Sequence, residues 1–219
     1  MAFLGVLMLH TRFPRPPGDI GHAASWRMPV RFRVVEGASS QRVVRERGAG
    51  LLQPFIEAGR ALVDEGAAAI TTSCGFLALF QAELAAALPV PVWTSSLLKL
   101  PELAGRRPGV LTVDAQALTA EHLLAAGARA DTPVEGLASG CSLQCTLLED
   151  RPTLDAPAAR QDVLAALQRL RQRHPGIDTV VLECTNLPPY AADIHRATGW
   201  PVHDITTLVH ERWKALPST

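Results

Sequence analysis

The chain repeats its own pattern of strands, helices and cysteines after half of its length. A shift of 110 residues (184 − 74) brings Cys74 onto Cys184 and Pro91-Val92 onto Pro201-Val202. In both copies the cysteine follows an apolar run, and the proline comes 17 residues after it. Internal self-similarity of this kind indicates two related structural units. We therefore expect two halves related by a pseudo-twofold axis.

Each half has the pattern of a parallel sheet. Apolar runs ending in small polar residues alternate with helical patterns at 51–63, 77–88 and 163–170, as in βαβ units. Strands are predicted at 3–9, 32–35, 67–72, 90–94, 109–113, 179–183 and 201–204. We predict an α/β fold with two pseudo-symmetric halves, each a mostly parallel sheet flanked by helices, and an active-site cleft between them. The first half is expected to comprise residues 1–96 plus 205–219, and the second half residues 97–204.

The composition indicates an ordinary globular protein. Hydrophobic residues make up 47% of the 219 residues, and the formal net charge is zero. A neutral chain offers no electrostatic reason for a nucleic acid or an anionic membrane as partner. The apolar stretch 2–9 is too short to span a membrane and follows no basic segment, so we interpret it as the first strand. A cytoplasmic location and reduced thiols on the four cysteines are therefore expected.

The sequence lacks the motifs of common cofactors. It contains two lysines, Lys99 and Lys214, and neither lies in a glycine- or serine-rich strand-end motif that would suit a pyridoxal Schiff base. Phosphate-binding and dinucleotide-binding glycine motifs are absent, and no Cys/His set has zinc-ligand spacing. Cys141 and Cys145 have no counterparts in the other half, and we expect them to pack in the core or a loop. No cofactor and no metal are predicted.

Cys74 and Cys184 both lie where a predicted strand gives way to a helical segment. Ligands bind at this edge of open α/β sheets, and a helix N-terminus favours both a thiolate and a substrate carboxylate. Inversion of a carbon centre next to a carboxylate requires a base on one face and an acid on the other. One thiolate and one thiol facing each other across a cleft meet this requirement.

These features resemble the aspartate/glutamate/hydantoin racemase superfamily over essentially the whole chain. The resemblance rests on the first cysteine after an apolar strand, on the Cys-Thr-x-x-Pro motif at Cys184, and on their separation. The run Gly109-Val110-Leu111-Thr112 is similar to the strand that opens the second half in that superfamily. The resemblance implies a cofactor-independent racemase of an amino acid or amino-acid derivative, with Cys74 and Cys184 as the acid–base pair. The candidate substrate-binding residues are His10, Ser73, Gly75, Phe76, Thr112, Thr185 and Asn186.

Three departures from the superfamily pattern predict a different substrate from that of glutamate racemases. Gly75-Phe76 replaces Asn-Thr, His10-Thr11-Arg12 replaces Asp-Ser-Gly, and Asn186 replaces a histidine. The proline- and glycine-rich segment 12–26 is interpreted as a loop that lines the site. The expected partner is a small molecule with a carboxylate or a hydantoin ring, and assembly into a homo-oligomer is compatible with the resemblance.

Two other functions remain open from the sequence. One is an enzyme like the maleate cis–trans isomerases, in which one cysteine attacks a double bond covalently. The other is a non-catalytic small-molecule binding protein, because two α/β halves with a central cleft also describe ligand-binding domains. Reactive thiols would favour an enzyme, whereas two ordinary thiols would favour a binding protein.

Overall fold

The computed structural model describes residues 2–217, so positions 1, 218 and 219 of the predicted first half lie outside the described part. Two four-stranded parallel sheets form the framework, with strand orders β2-β1-β3-β4 and β6-β5-β7-β8. The strands are β1 Phe3–Leu9, β2 Val30–Val35, β3 Ala67–Thr72, β4 Val92–Trp93, β5 Pro108–Thr112, β6 Val134–Gly136, β7 Thr179–Leu182 and β8 Val202–His203. The predicted fold class is confirmed, and the division at residues 96 and 204 stays a prediction.

Seven α-helices in the described residues cover the sheets. They are α1 Leu52–Asp64, α2 Gln81–Ala87, α3 Ala120–Ala125, α4 Ser142–Leu148, α5 Ala156–Arg173, α6 Ala191–Thr198 and α7 Ile205–Lys214. Short 3-10 segments at Ala23–Ser25, Gly75–Phe80, Ser96–Glu102 and Pro188–Tyr190, and a π-helical turn at Gln41–Arg45, lie between these elements. No helix within residues 2–217 combines the length and the apolar character that a membrane crossing requires.

β1 is buried on both faces, which explains its uninterrupted apolar sequence. Side chains alternate between the two faces of a strand, and Phe3, Leu7 and Leu9 point into the larger core. Leu4, Val6 and Met8 point the other way, where they pack with the apolar side chains of α7. The last helix of the chain therefore returns to cover the first sheet.

The two sheets meet through the carboxyl ends of their strands. The Ser96 hydroxyl donates a hydrogen bond of 2.6 Å to the carbonyl of Leu182, and the Thr185 hydroxyl donates one of 2.7 Å to the carbonyl of Ser73. Both bonds join the end of one sheet to the end of the other. The segments that follow β3 and β7 are thereby held against each other.

Candidate active site

A single narrow pocket at this junction is lined by both Cys74 and Cys184. The two cysteines are buried, with 9% and 6% of their surface exposed. The space that admits a water-sized sphere is about 20 Å³, which is roughly enough for one or two water molecules. The lining is mainly apolar. Among the described residues, Glu183 is the one acidic or basic side chain that lines the pocket besides the cysteines.

Ser73 fixes the position of Cys74. Its backbone N–H donates to the carbonyl of Leu7 at 2.9 Å, and its hydroxyl accepts from the N–H of Leu9 at 2.8 Å. These bonds tie the end of β3 to the end of β1. Cys74 then has an extended backbone, and a 3-10 turn begins at Gly75. The predicted location of the cysteine at the start of a helical segment is thus observed, with a 3-10 turn before α2.

Cys184 is held by an equivalent arrangement in the second half. The N–H of Glu183 donates to the carbonyl of Leu111 at 2.8 Å, which ties the end of β7 to β5. The chain turns immediately after the cysteine, because the N–H of Leu187 donates to the carbonyl of Cys184 at 3.0 Å. Each cysteine therefore follows a central strand and directly precedes a turn.

Burial raises the pKa of both thiols, since the charged form loses its hydration. The Glu183 carboxyl is the second cause and raises both pKa values further. The backbone N–H of Phe76 and the Arg15 guanidinium lower the pKa of Cys74. The backbone N–H of Asn186 lowers the pKa of Cys184, whereas Cys74 and the Asp19 carboxylate raise it. The two thiols thus have different charged neighbours in spite of their equivalent positions.

Glu183 is a fully buried carboxyl group next to both cysteines. Burial raises its pKa to about 8, although the hydroxyl of Thr112, which donates to its Oε2 at 2.6 Å, lowers it. Its Oε1 has no hydrogen-bond partner among the described residues. At neutral pH this side chain is therefore mostly uncharged. Glu183 was not predicted as a site residue, because in the sequence it is only the last residue of a predicted strand.

Gly75 is packed directly against Glu183. A Cβ atom at this position would overlap with the backbone oxygen and the Oε1 of Glu183. Gly75 was predicted to contact substrate, and its close approach to the other half provides a second reason for a glycine here.

The segment 12–26 closes one side of the site, as the sequence predicts for a loop over it. Phe13 lines the pocket, and the N–H of Ile20 donates to the carbonyl of Thr185 at 3.4 Å. Asp19, 1% exposed, accepts a hydrogen bond of 2.6 Å from the Asn186 side chain and forms an ion pair of 2.8 Å with Arg15. Asp19 and Phe13 were not predicted as site residues, because neither lies in a recognisable motif.

Most of the predicted site residues line the pocket, namely Ser73, Cys74, Gly75, Phe76, Cys184, Thr185 and Asn186. The structure does not bring Thr112 or His10 into the lining. Thr112 is buried and supports Glu183, whereas His10 is exposed and its backbone N–H donates to the carbonyl of Ala38. Cys141 and Cys145 also lie outside it. The roles of the predicted site residues in binding or catalysis stay predictions.

Two aspartates that follow strands cap the segment after them, Asp114 a turn and Asp204 a helix. Asp114 accepts from the N–H groups of Gln116 and Ala117, and Asp204 is the N-cap of α7. Within residues 2–217, no group of three or more His, Cys, Asp or Glu side chains is arranged to hold a metal ion.

The relatives found by sequence are lyases. A dimethylsulfoniopropionate lyase from Durusdinium sp. clade D is 28% identical over 217 residues, covering 93% of this chain and 71% of the relative. Dimethylsulfoniopropionate lyase 6 from Emiliania huxleyi (strain CCMP1516) is 32% identical over 234 residues, covering 97% of this chain. The chain spans 59% of the length of this Emiliania relative, which is less than two thirds. A comparison with protein-family profiles gives no match.

The solved structures with a similar fold are decarboxylases and racemases. Unliganded arylmalonate decarboxylase has a TM-score of 0.60 at 18% identity, covering 92% of this chain and 86% of the other. An aspartate racemase from Picrophilus torridus has a TM-score of 0.60 at 13% identity, covering 96% and 94%. The chain therefore has the fold of the aspartate/glutamate racemase superfamily, and the resemblance predicted from the sequence is confirmed at the level of the fold.

Proposed function

We propose that this chain is a lyase that removes a proton next to a carboxylate with a cysteine thiolate and expels a thioether from the neighbouring carbon. The substrate class is a short carboxylate with a sulfonium group on its β carbon, as in dimethylsulfoniopropionate. The observation that carries the proposal is a narrow, mainly apolar pocket with two cysteines, in which no charged side chain of residues 2–217 is free to bind an ammonium group.

The lining suits a sulfonium better than an α-ammonium group. An ammonium group has three N–H donors and needs several acceptors, whereas the Glu183 carboxyl, which is mostly uncharged at pH 7 and bonded to Thr112 through Oε2, offers it a single oxygen, Oε1. A dimethylsulfonium has no N–H or O–H donor, and it is stabilised by apolar and aromatic surface. Phe13 and Phe76 supply such surface. We place the substrate carboxylate at the start of the turns after the two cysteines, where backbone N–H groups favour an anion.

The reaction requires one base and no external reactant. The thiolate takes the proton from the α carbon, and the C–H electron pair becomes the second bond between the α and β carbons. The C–S bond breaks with its electron pair, which leaves dimethyl sulfide as a neutral molecule and acrylate as the second product. The thiol then returns its proton to solvent.

A cationic substrate also counteracts the burial of the thiols. Desolvation raises the pKa of both cysteines. A positive charge within about 4–6 Å favours the thiolate form. Binding of a sulfonium therefore promotes formation of the base that acts on it, an effect that an uncharged ligand cannot produce.

Racemisation of an amino acid or amino-acid derivative is the second candidate. It is favoured by the presence of both thiols in one pocket at equivalent positions of the two halves. Elimination needs one base, whereas inversion of a carbon centre needs a base and an acid on opposite faces. The requirement for one or two cysteines therefore separates the two reactions.

Proton NMR of the protein in D₂O with dimethylsulfoniopropionate tests the proposal. D- and L-amino acids, hydantoins and maleate are run in parallel. We expect acrylate and dimethyl sulfide to form, and loss of the basic thiol in Cys74→Ser to lower the rate by about 10²–10⁴-fold. Cys141→Ser, outside the pocket, serves as the matched control.

Other outcomes assign other functions. Exchange of the α proton of an amino acid or hydantoin without elimination, dependent on both cysteines, would replace the lyase by a racemase. Conversion of maleate to fumarate would indicate the covalent isomerase. No reaction with any compound, together with thiols of ordinary reactivity, would contradict an enzymatic function and favour a binding protein.

A further inference from the structure

A chain of polar contacts runs from the loop over the site to one of the two cysteines. The Asn186 Nδ2 donates to the Asp19 Oδ2 at 2.6 Å, and the Asn186 Oδ1 lies 3.6 Å from the Cys184 Sγ. Asp19 is 1% exposed, and it also accepts from the N–H of Gly21 at 2.7 Å. The repeat places no such chain at Cys74, since Phe76 stands two residues after that cysteine where Asn186 stands after Cys184.

The chemistry of Asp19 fixes the orientation of the Asn186 amide. An ionised carboxylate only accepts hydrogen bonds, so the NH₂ group of the amide must face Asp19. The carbonyl oxygen of Asn186 must then face Cys184. An amide oxygen accepts a hydrogen bond from an S–H group but repels the negative charge of a thiolate. The contact therefore favours the protonated form of Cys184.

The ion pair of Arg15 and Asp19 extends this asymmetry to the other cysteine. The Arg15 Nη1 lies 2.8 Å from the Asp19 Oδ1, and 12% of the arginine side chain is exposed. The guanidinium lowers the pKa of Cys74, and the carboxylate raises the pKa of Cys184. Glu183, by contrast, raises the pKa of both thiols and does not distinguish between them.

We propose that Asp19 is a positioning residue that acts through Asn186 to hold Cys184 as a thiol, which leaves Cys74 as the thiolate base. The charged and titratable groups that face this arrangement are Arg15, Glu183, Cys74 and the hydroxyl of Tyr190. The assignment of the base rests on the proposed function, whereas the location of the proton does not.

The test measures the two thiols separately and needs no turnover. The intact protein is alkylated with iodoacetamide over a range of pH, and the modified peptides of Cys74 and Cys184 are quantified by mass spectrometry. For each thiol we compare the pH at which alkylation reaches half of its own maximal rate. A difference in access changes the maximal rate but not this midpoint. We expect Cys184 to titrate above Cys74, and Asp19→Asn to lower the midpoint of Cys184 by about one pH unit, a tenfold increase in thiolate at fixed pH.

Asp150→Asn is the matched control. Asp150 accepts from the N–H groups of Arg12 and Phe13, so this variant loosens the same loop without a contact to Asn186. Asn186→Ala, which retains Asp19, is measured alongside and should also lower the midpoint of Cys184. Circular dichroism checks the fold of each variant. Should Asp19→Asn fail to fold, the midpoints measured in Asn186→Ala decide the test.

The proposal is overturned if Cys184 titrates at or below Cys74 in the unaltered protein. It is equally overturned if the substitutions move both thiols together, or if Asp150→Asn moves Cys184 as much as they do. Failure of the lyase reaction with distinct midpoints would reject the proposed function and keep this inference. Normal elimination with equal midpoints would keep the proposed function and reject this inference.

Discussion

Gly75 contacts the opposite half of the molecule through its backbone. We expect Gly75→Ala to lower activity strongly and to destabilise the fold by about 1–3 kcal/mol, because the new methyl group would overlap with Glu183. One of the overlapping atoms is a backbone oxygen, so shortening the Glu183 side chain should not restore stability. Urea unfolding and the rate of acrylate formation measure the two effects.

Gly176→Ala is the control for this substitution. At Gly176 the nearest atom to a new Cβ is the Arg107 Nη1 at 3.3 Å, at the end of a flexible side chain. It should therefore leave stability and activity close to those of the unaltered protein. Equal effects of the two substitutions would show that the contact between Gly75 and Glu183 is unimportant.

Glu183 makes the stability of the protein depend on pH. Its pKa is raised from 4.5 to about 8 in the folded state, so the folded state holds a proton that the unfolded state has released. The free energy of unfolding must therefore fall as the pH rises between these values, by about 1.4 kcal/mol per pH unit at most. Glu183→Gln removes this slope. In urea unfolding at pH 5, 6, 7 and 8, the free energy of unfolding of the variant should therefore increase relative to that of the unaltered protein as the pH rises. Parallel curves would contradict the buried, protonated carboxyl.

The cysteines could be found from the sequence, but their neighbours could not. Cys74 and Cys184 coincide in the repeat and follow recognisable strands. Glu183 and Asp19 carry no such signal, because their effect on the thiols depends on contacts across the molecule. Asp19 meets Asn186 from 167 positions away in the chain, and no local pattern encodes that separation.

At the scale of elements, α3 is joined to the site by a buried histidine. The His122 Nδ1 accepts from the N–H of Thr119 at 3.1 Å, and its ring lies edge-on to Phe76 with 5.2 Å between centroids. Nδ1 is therefore the unprotonated nitrogen, and Nε2–H has no partner among the described residues. Burial, followed by the Arg47 guanidinium, lowers the pKa of His122 to about 4.

This lowered pKa predicts acid destabilisation. Since the unfolded histidine titrates near 6.5, the free energy of unfolding is lost as the pH falls from 6.5 towards 4. His122→Gln keeps an acceptor for the capping interaction and cannot be protonated, so it should flatten the slope by about 1–2 kcal/mol between pH 7 and pH 5. Urea unfolding at the two pH values measures the slope, and His10→Gln, at an exposed position, is the control. If the free energy of unfolding of His122→Gln depends on pH as steeply as that of the unaltered protein, a group other than His122 causes the acid destabilisation.

Long apolar segments were predicted more accurately than short ones. β1 and β3 have the predicted bounds, Phe3–Leu9 and Ala67–Thr72. β6, Val134–Gly136, was missed because three residues with a charged one in the middle give no periodicity. The helical pattern after Cys74 proved to begin as a 3-10 turn over Gly75–Phe80, which apolar spacing alone does not distinguish from an α-helix.

At the scale of the whole molecule, α7 covers one face of the first sheet. Leu208 is 1% exposed and packs in the cluster that contains Leu4, Val6 and Met8. We expect Leu208→Ala to lower the free energy of unfolding by about 2–5 kcal/mol. Hydrogen exchange, followed by mass spectrometry, should rise in β1 and β3 more than in β5 and β7.

Leu124→Ala is the control, because the Leu124 side chain is 59% exposed. It should change the free energy of unfolding by less than about 0.5 kcal/mol. A uniform rise of exchange over both sheets in Leu208→Ala would mean that the two halves unfold as one unit. It would also weaken the predicted assignment of the C-terminal segment to the first half.

The overall architecture follows from the repeat, whereas the reaction does not. The same fold occurs in arylmalonate decarboxylase and in an aspartate racemase, and the relatives by sequence are dimethylsulfoniopropionate lyases. All of these names describe chemistry next to a carboxylate. The choice among them depends on the pocket lining, to which loops from several distant parts of the chain contribute.

The unequal surroundings of the two cysteines have a stereochemical consequence. A methylene group held between them presents one hydrogen to each sulfur, and these two hydrogens are equivalent in free solution. When a single sulfur accepts protons, the protein can distinguish the pro-R hydrogen from the pro-S one. A substrate that carries one deuterium at this carbon would then lose the whole label in one configuration and keep the whole label in the other. The approximate twofold symmetry of the fold would thus yield a fully handed reaction.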